Sequence, residues 1–282
     1  MSESHKKIGF IQGRLVDPID GKIQAFPWGL WQEELVSASK LGLDVVEWTL
    51  DYDGWTENPL MTKEGQERIN FLKRKLKISI PALTADCFMQ FPYYKDEKSF
   101  DEGCNLLKQV INACFLTGIK VIVFPLVDKG SLKHRDEVNR LLKSFEKVSQ
   151  VLNKTDIKIA FESDFNPIKL KKFIDLWPVA RFGINYDMGN SAALGFHEEE
   201  EVSIYGPRII HVHVKDRLYG GTTVPFGTGD TNIRRIIKLL VESGYTNYYI
   251  LQSARDKNGY HEEIILEYKK IVSSYIKKAL VL

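Results

Sequence analysis

A chain of 282 residues, 44% apolar and 27% charged, is long enough to bury a large core, in the size range of one α/β barrel or two smaller domains. Its 39 Lys and Arg against 37 Asp and Glu leave a net charge of +2, too even for nucleic-acid binding by charge alone. Three cysteines without a Cys-x-x-Cys pair (Cys87, Cys104 and Cys114) argue against a disulfide scaffold or a zinc ribbon.

In chain order, short apolar runs rich in β-branched residues alternate with longer amphipathic stretches. The strand-like runs are residues 7–11, 45–48, 78–83, 120–124, 158–161, 181–186, 209–214 and 248–251. Helix-like stretches occupy 30–41, 64–76, 100–117, 136–152, 168–176, 233–243 and 262–277. The helical period is plain in Leu106, Val110, Ala113 and Cys114, and again in Ile236, Ile237, Leu240 and Val241. Cys104 and Cys114 lie in the first of these patterns and are expected as small core residues. Gly42, Gly118 and Gly244 each follow a helical stretch, where a residue tolerating positive φ ends the last turn. The acidic run 198–201 reads as a solvated helix face.

Strands alternating with helices imply βαβ units and a parallel sheet covered on both faces. That explains Val121-Ile122-Val123-Phe124, which does not alternate with polar residues. Eight such runs fit a closed (β/α)8 TIM barrel. A doubly wound sheet would carry a glycine-rich turn after its first strand, and that position reads Gln12-Gly13-Arg14. No linker divides the chain, so residues 1–282 are expected to form one domain. The polar start and the lack of a long apolar stretch predict a soluble, cytoplasmic protein with no membrane partner. A homo-oligomer stays open.

The active site of this fold lies at the C-terminal ends of the strands. Polar residues there are Gln12 and Arg14, Glu47, Asp86, Glu162 and Asp164, Asp187 and Asn190, His211, His213, Lys215, Asp216 and Arg217, then Gln252 and Arg255. Glu162, Asp187 and His213 combine two carboxylates and an imidazole on neighbouring strands, a donor set suited to one Mn²⁺, Zn²⁺, Co²⁺ or Mg²⁺ ion. Gln252 offers a neutral amide oxygen beside them. The same carboxylates also suit a helix N-cap or an ion pair. His211 lies two residues deeper on the strand face of His213, as a group orienting a carboxylate or as a satisfied core histidine. Glu47, next to Trp48, is a candidate substrate contact or a structural ion pair. Phe26, Trp28 and Trp48 suit either a sugar ring or the core. His5, His134, His197 and His261 lie away from strand ends.

Several segments together resemble the xylose-isomerase-like barrel superfamily, and within it the sugar-phosphate isomerase/epimerase branch. They are Gly42-Leu43-Asp44-Val45-Val46-Glu47, Ile159-Ala160-Phe161-Glu162, Asn185-Tyr186-Asp187-Met188-Gly189-Asn190 and His211-Val212-His213-Val214-Lys215-Asp216. Pro225-Phe226-Gly227-Thr228-Gly229-Asp230 is similar to the loop after the seventh strand in pentulose- and hexulose-phosphate members. The resemblance implies Glu162, Asp187 and His213 as metal ligands, Glu162 as the group exchanging a proton with substrate, and Glu47 and Arg217 as substrate contacts. The chain departs from that pattern twice. Gln252 stands where epimerases of the family carry a second glutamate, and Asn190 where many carry histidine.

The expected chemistry is isomerisation or epimerisation of a small sugar or sugar phosphate through an enediolate stabilised by one divalent ion. Glu162 is the preferred base. Epimerisation needs a second acid, and the Gln252 amide does not titrate in the useful range. His211 or Lys215 is then the second donor, unless a single base serves an aldose–ketose isomerisation. Lys215, Arg217 and Arg255 are candidate anion contacts, with Glu47 and Asn190 as further substrate contacts. The rivals are a dehydratase or lyase of the same superfamily, a phosphodiesterase needing more metal ligands, and a non-catalytic sugar-binding protein.

Overall fold

The eight strand-like runs become eight parallel strands in the computed structural model, which describes residues 7–281. They are β1 (Ile8–Ile11), β2 (Val45–Thr49), β3 (Ser79–Thr84), β4 (Val121–Leu126), β5 (Lys158–Ser163), β6 (Phe182–Asp187), β7 (Ile209–Val214) and β8 (Tyr249–Leu251). The ring runs β1-β8-β7-β6-β5-β4-β3-β2 and closes between β2 and β1. Outside it lie α1 (Trp31–Lys40), α2 (Lys63–Leu76), α3 (Phe100–Thr117), α4 (Arg135–Asn153), α5 (Pro167–Ile174), α6 (Glu198–Tyr205), α7 (Ile233–Glu242) and α8 (His261–Leu280). Each strand is followed by one of these helices, so the architecture is the (β/α)8 TIM barrel.

Local chemistry sets the boundaries. Asn166 caps α5, its side chain accepting from Lys169 N at 2.9 Å with Pro167 in the first turn, so the helix starts and ends earlier than the apolar pattern implies. Gly42, Gly118 and Gly244 have φ of 68°, 75° and 84°, as their place after α1, α3 and α7 requires. Leu106, Val110, Ala113 and Cys114 all face the core, and Cys87 and Cys104 are buried too. The sequence pattern does not foretell the short helices Cys87–Gln90 and Met188–Ala193, or the hairpin pairing Asp216–Arg217 with Thr223–Val224. The acidic run needs a correction. Glu199 and Glu200 face solvent, but Glu201 is buried and accepts hydroxyl hydrogen bonds from Tyr186, Ser191 and Tyr205.

The lumen is packed rather than open. Ile11, Val45 and Ile250 form an inner cluster, and Gly9 fits because a Cβ there would lie 2.6 Å from Val45 Cγ1. Outside the ring, Phe124, Phe145, Phe161, Trp177 and Phe182 interlock edge to face and stacked. This rigid frame fixes the strand ends. Among the described residues, no helix is long and apolar enough to cross a membrane.

Candidate metal centre at the barrel mouth

Register brings the donors together. On β6 and β7, Asn185 pairs with His211 and Asp187 with His213, and residues two apart on a strand share a face. One ligand atom each from Glu162, Asp187 and His213 lies within 4.8 Å of the other two. His213 Nδ1 is 3.4 Å from Glu162 Oε2 and 3.7 Å from Asp187 Oδ2. These gaps are wider than hydrogen bonds and close to the roughly 3.0–3.4 Å between donors sharing an ion at about 2.1 Å. Glu162 is 7% exposed, Asp187 4% and Gln252 9%, so the set sits just inside the mouth. Two hard oxygens and one imidazole nitrogen in this arrangement fit a divalent cation.

Neighbouring side chains hold each donor. Asn185 Nδ2 donates to Glu162 Oε2 at 2.8 Å and lies 3.0 Å from His213 Nδ1. Asn190 Nδ2 donates to Glu162 Oε1 at 2.6 Å. Asp187 divides its two oxygens. Oδ1 accepts from Asn190 N at 2.9 Å and caps the short helix Met188–Ala193, while Oδ2 pairs with Lys215 Nζ at 2.7 Å. The cap and ion-pair readings therefore coexist with the ligand geometry. Burial alone would raise the Asp187 carboxyl, but Lys215 and His213 outweigh it and hold it below the usual carboxylate range. Lys215 Nζ also donates to Gln252 Oε1 at 3.0 Å.

Of the two roles expected of it, substrate contact or ion pair, Glu47 takes the ion pair in the structure. It is fully buried, and His211 Nε2 meets its Oε2 while His213 Nε2 lies 2.7 Å from its Oε1, to which Thr84 Oγ1 also donates. These are hydrogen bonds rather than the spacing of shared ligands. Burial pushes the Glu47 carboxyl up, yet the charges of His213 and His211 pull it well below the usual carboxylate range. The reverse holds for His213. Burial lowers its pKa, but the charge of Glu47, with the Asp187 and Glu162 carboxylates close by, holds it well above the ordinary value. His211 lies deeper still. It lines a cavity of about 320 Å³ with Ser79, Val121, Lys158 and Tyr248 from the opposite ends of the strands. Glu47 stands between it and the mouth, which removes the reason to read His211 as a proton donor to substrate.

A second network closes the mouth. Gln252 Nε2 donates to Gln24 Oε1 at 2.8 Å, and Gln24 Nε2 donates to Asp86 Oδ2 at 2.7 Å. Arg14 is buried beneath it, bound to the carbonyls of Ser253 and Ile23. Burial, and then the charge of Asp51, push the Asp86 carboxyl up to about 7; Glu162 adds to the rise, while the Gln24 hydrogen bond and His213 oppose it. Asp86 was visible only as a polar strand end. Gln24 sits in a loop and carried no signal at all.

The remaining candidates divide. Arg217 donates Nη1 to Asn190 Oδ1 at 2.6 Å and Nε to Gly221 O at 3.2 Å. Arg255 spends its hydrogen bonds on the carbonyls of Ile23 and Val16, so it clamps the loop after β1. Asp216 accepts from the backbone of Gly227, Gly229 and Thr231, fixing the loop after the hairpin. Trp48 is fully buried against Phe26 and Trp31, which makes it core. Trp28 is 38% exposed, edge-on to Phe26. His134 and His197 stand at the N-terminal ends of α4 and α6, and His261 begins α8; His5 lies outside the described residues.

Comparison with known proteins agrees with this fold. The chain is 25% identical over 242 residues to the L-ribulose-5-phosphate 3-epimerase UlaE of Escherichia coli (strain SMS-3-5 / SECEC), covering 81% of this chain and 84% of that one. The structure of L-ribulose 3-epimerase has a TM-score of 0.75 at 14% identity, covering 97% of this chain and 95% of the other. The crystal structure of IolI protein with a binding zinc atom has a TM-score of 0.72 at 18% identity, covering 96% and 98%. The model of the xylose isomerase-like TIM barrel matches residues 35–270, and the chain belongs to that family.

Proposed function

We propose that this chain is a divalent-metal-dependent isomerase or epimerase of a small sugar or sugar phosphate, acting by proton transfer at a carbon next to a carbonyl. The observation that carries the reading is the meeting of Glu162, Asp187 and His213 at the mouth, with His213 Nδ1 3.4 Å from Glu162 Oε2. The relative named as an L-ribulose-5-phosphate 3-epimerase supports a ketose phosphate as the substrate class. Glu162, Asp187 and His213 would hold the ion, with the Gln252 amide oxygen beside them. A bound Mn²⁺, Zn²⁺, Co²⁺ or Mg²⁺ would supply Lewis-acid polarisation of the carbonyl, worth several kcal/mol toward an enediolate.

The chain's own groups move the protons. Glu162 is the base, and the Asn185 and Asn190 amides aim both of its oxygens. The carbon–hydrogen bond breaks, its proton passes to Glu162, and the electron pair moves onto the carbonyl oxygen. Gln252 cannot return a proton to the opposite face. In this reading Asp86 takes that role: burial and Asp51 raise its carboxyl to about 7, and Gln24 links it to Gln252. Each epimerisation leaves Glu162 protonated and Asp86 ionised, and exchange with solvent resets both. Lys215, Arg217 and Asn190 are the substrate-side polar groups, the two cations suited to an anionic substrate.

The test is incubation of metal-loaded protein with ketoses and ketose phosphates in D₂O. Solvent deuterium should enter the carbon next to the carbonyl, and Glu162→Gln should abolish it. Product analysis separates epimerisation from loss of water by a lyase. A second reading follows from Gln252 itself, a sugar-binding protein without catalysis. Binding of sugar with no deuterium in any carbon would establish it and end the enzymatic reading.

A further inference from the structure

We infer that Glu47 is a positioning residue for the metal centre: it holds the Nε2 side of His213 so that Nδ1 faces Glu162 and Asp187. The inference rests on the metal-dependent reading above and adds a residue to it. A histidine offers two ring nitrogens, and the group bonded to one decides which way the other points. Here the two are addressed separately. Nε2 lies 2.7 Å from Glu47 Oε1, while Nδ1 lies 3.4 Å from Glu162 Oε2 and 3.7 Å from Asp187 Oδ2.

Glu47 suits this task better than a structural one. It projects from β2 and reaches β7 past the two strands between them in the ring, β1 and β8. A fully buried carboxylate is costly, and buried ion pairs can often be replaced by well-packed apolar side chains without loss of stability. Its orientation is also fixed by others. His211 Nε2 occupies Oε2, and Thr84 Oγ1 donates to Oε1. With its carboxylate clamped on both sides, the plane offered to His213 is set. On the far side of the imidazole, the Asn185 amide nitrogen lies 3.0 Å from Nδ1, a contact that an unprotonated Nδ1, the form that binds a metal, can accept. His211 thus acts as a support for Glu47, placed between the cavity below and the carboxylate above.

The experiment titrates wild type, Glu47→Gln and His211→Asn with Mn²⁺ alone and with Zn²⁺ alone, following bound metal directly. Folding is checked by circular dichroism. Glu47→Gln should weaken metal binding about 10- to 100-fold, the usual effect of removing such a partner, and His211→Asn less. Unchanged affinity in a folded Glu47→Gln protein overturns the inference. Should that variant fail to fold, long-range ¹H–¹⁵N spectra of wild type decide: in the Zn²⁺-loaded protein the His213 proton belongs on Nε2, and a proton on Nδ1 overturns it. Wild type that binds neither ion sinks the functional reading separately. The inference is then judged on the metal-free protein, where an unprotonated His213 Nε2 rejects it and a slowly exchanging Nε2–H retained in wild type and lost in Glu47→Gln upholds the Glu47 clamp.

Discussion

Asn190 donates from Nδ2 to Glu162 Oε1 across 2.6 Å, fixing one of the two oxygens of the proposed base. Its own oxygen accepts from Arg217 Nη1 at 2.6 Å, so the amide cannot flip without losing both contacts. Hydrogen bonds to charged groups contribute about 1.5–3 kcal/mol. Asn190→Ala should therefore lower kcat roughly 10- to 100-fold, with deuterium exchange falling in parallel. A kcat within about twofold of wild type would remove Asn190 from the machinery.

The Lys215 ammonium lies where a cation is wanted, 2.7 Å from Asp187 Oδ2 and 3.0 Å from Gln252 Oε1. Metal and lysine therefore compete for the same carboxylate. Lys215→Met leaves Asp187 buried without its partner, which should destabilise the metal-free protein by about 3 kcal/mol. Added Mn²⁺ should restore more stability to this variant than to wild type, because the ion now meets an unpaired carboxylate. Urea unfolding with and without Mn²⁺ reads both effects. Equal stabilisation of the two proteins would show that the ion does not use Asp187.

How much of this was legible in the sequence follows from how far each partner lies along the chain. The alternation His211-Val212-His213 shows on its face that both rings enter the lumen, and the strand-end rule brings Glu162 and Asp187 to the same place. Glu47 is legible as a strand-end residue suited to a substrate contact or an ion pair, but its histidine partners are not, since they sit more than 160 positions away across the ring. The Gln24 link between Gln252 and Asp86 was hidden for a different reason. A loop glutamine has no period, and its contacts with Gln252 and Asp86 span 228 and 62 residues. Asp187 was read as either cap or ligand because sequence assigns one role per residue, whereas a carboxylate has two oxygens to divide.

Gly189 has a steric reason that motif reading alone does not supply. A Cβ at that position would lie 2.5 Å from Lys215 Cγ and 3.0 Å from Arg217 Cγ. Neither atom is the free end of its side chain, so both side chains would have to shift. Gly189→Ala should cost about 1–3 kcal/mol of stability through overpacking. Metal affinity should change as well, since Lys215 moves relative to Asp187. Calorimetry and Mn²⁺ titration on the same variant check the coupling. A wild-type melting profile would mean that the short helix Met188–Ala193 yields to the added methyl.

Asp86 gives the chain a pH dependence whose sign is fixed. Burial first, then Asp51, raise its carboxyl from 3.8 to about 7. The native state therefore holds this proton more tightly than the unfolded chain, and stability falls as pH rises from about 4 through 7. Asp86→Asn should remove that decline, so wild type should lose roughly 1–3 kcal/mol relative to the variant between pH 5 and 8 in urea unfolding. Activity should follow the same proton. With Asp86 as the acid, epimerisation in wild type should fall above pH 7, and Asp86→Asn should lower kcat by about 10²-fold or more and lose that limb. Glu162-driven exchange of the substrate proton should persist in the variant, because only the return step from the other face has been removed. If epimerisation and exchange fall together, Asp86 supports Glu162 rather than answering it from the opposite face.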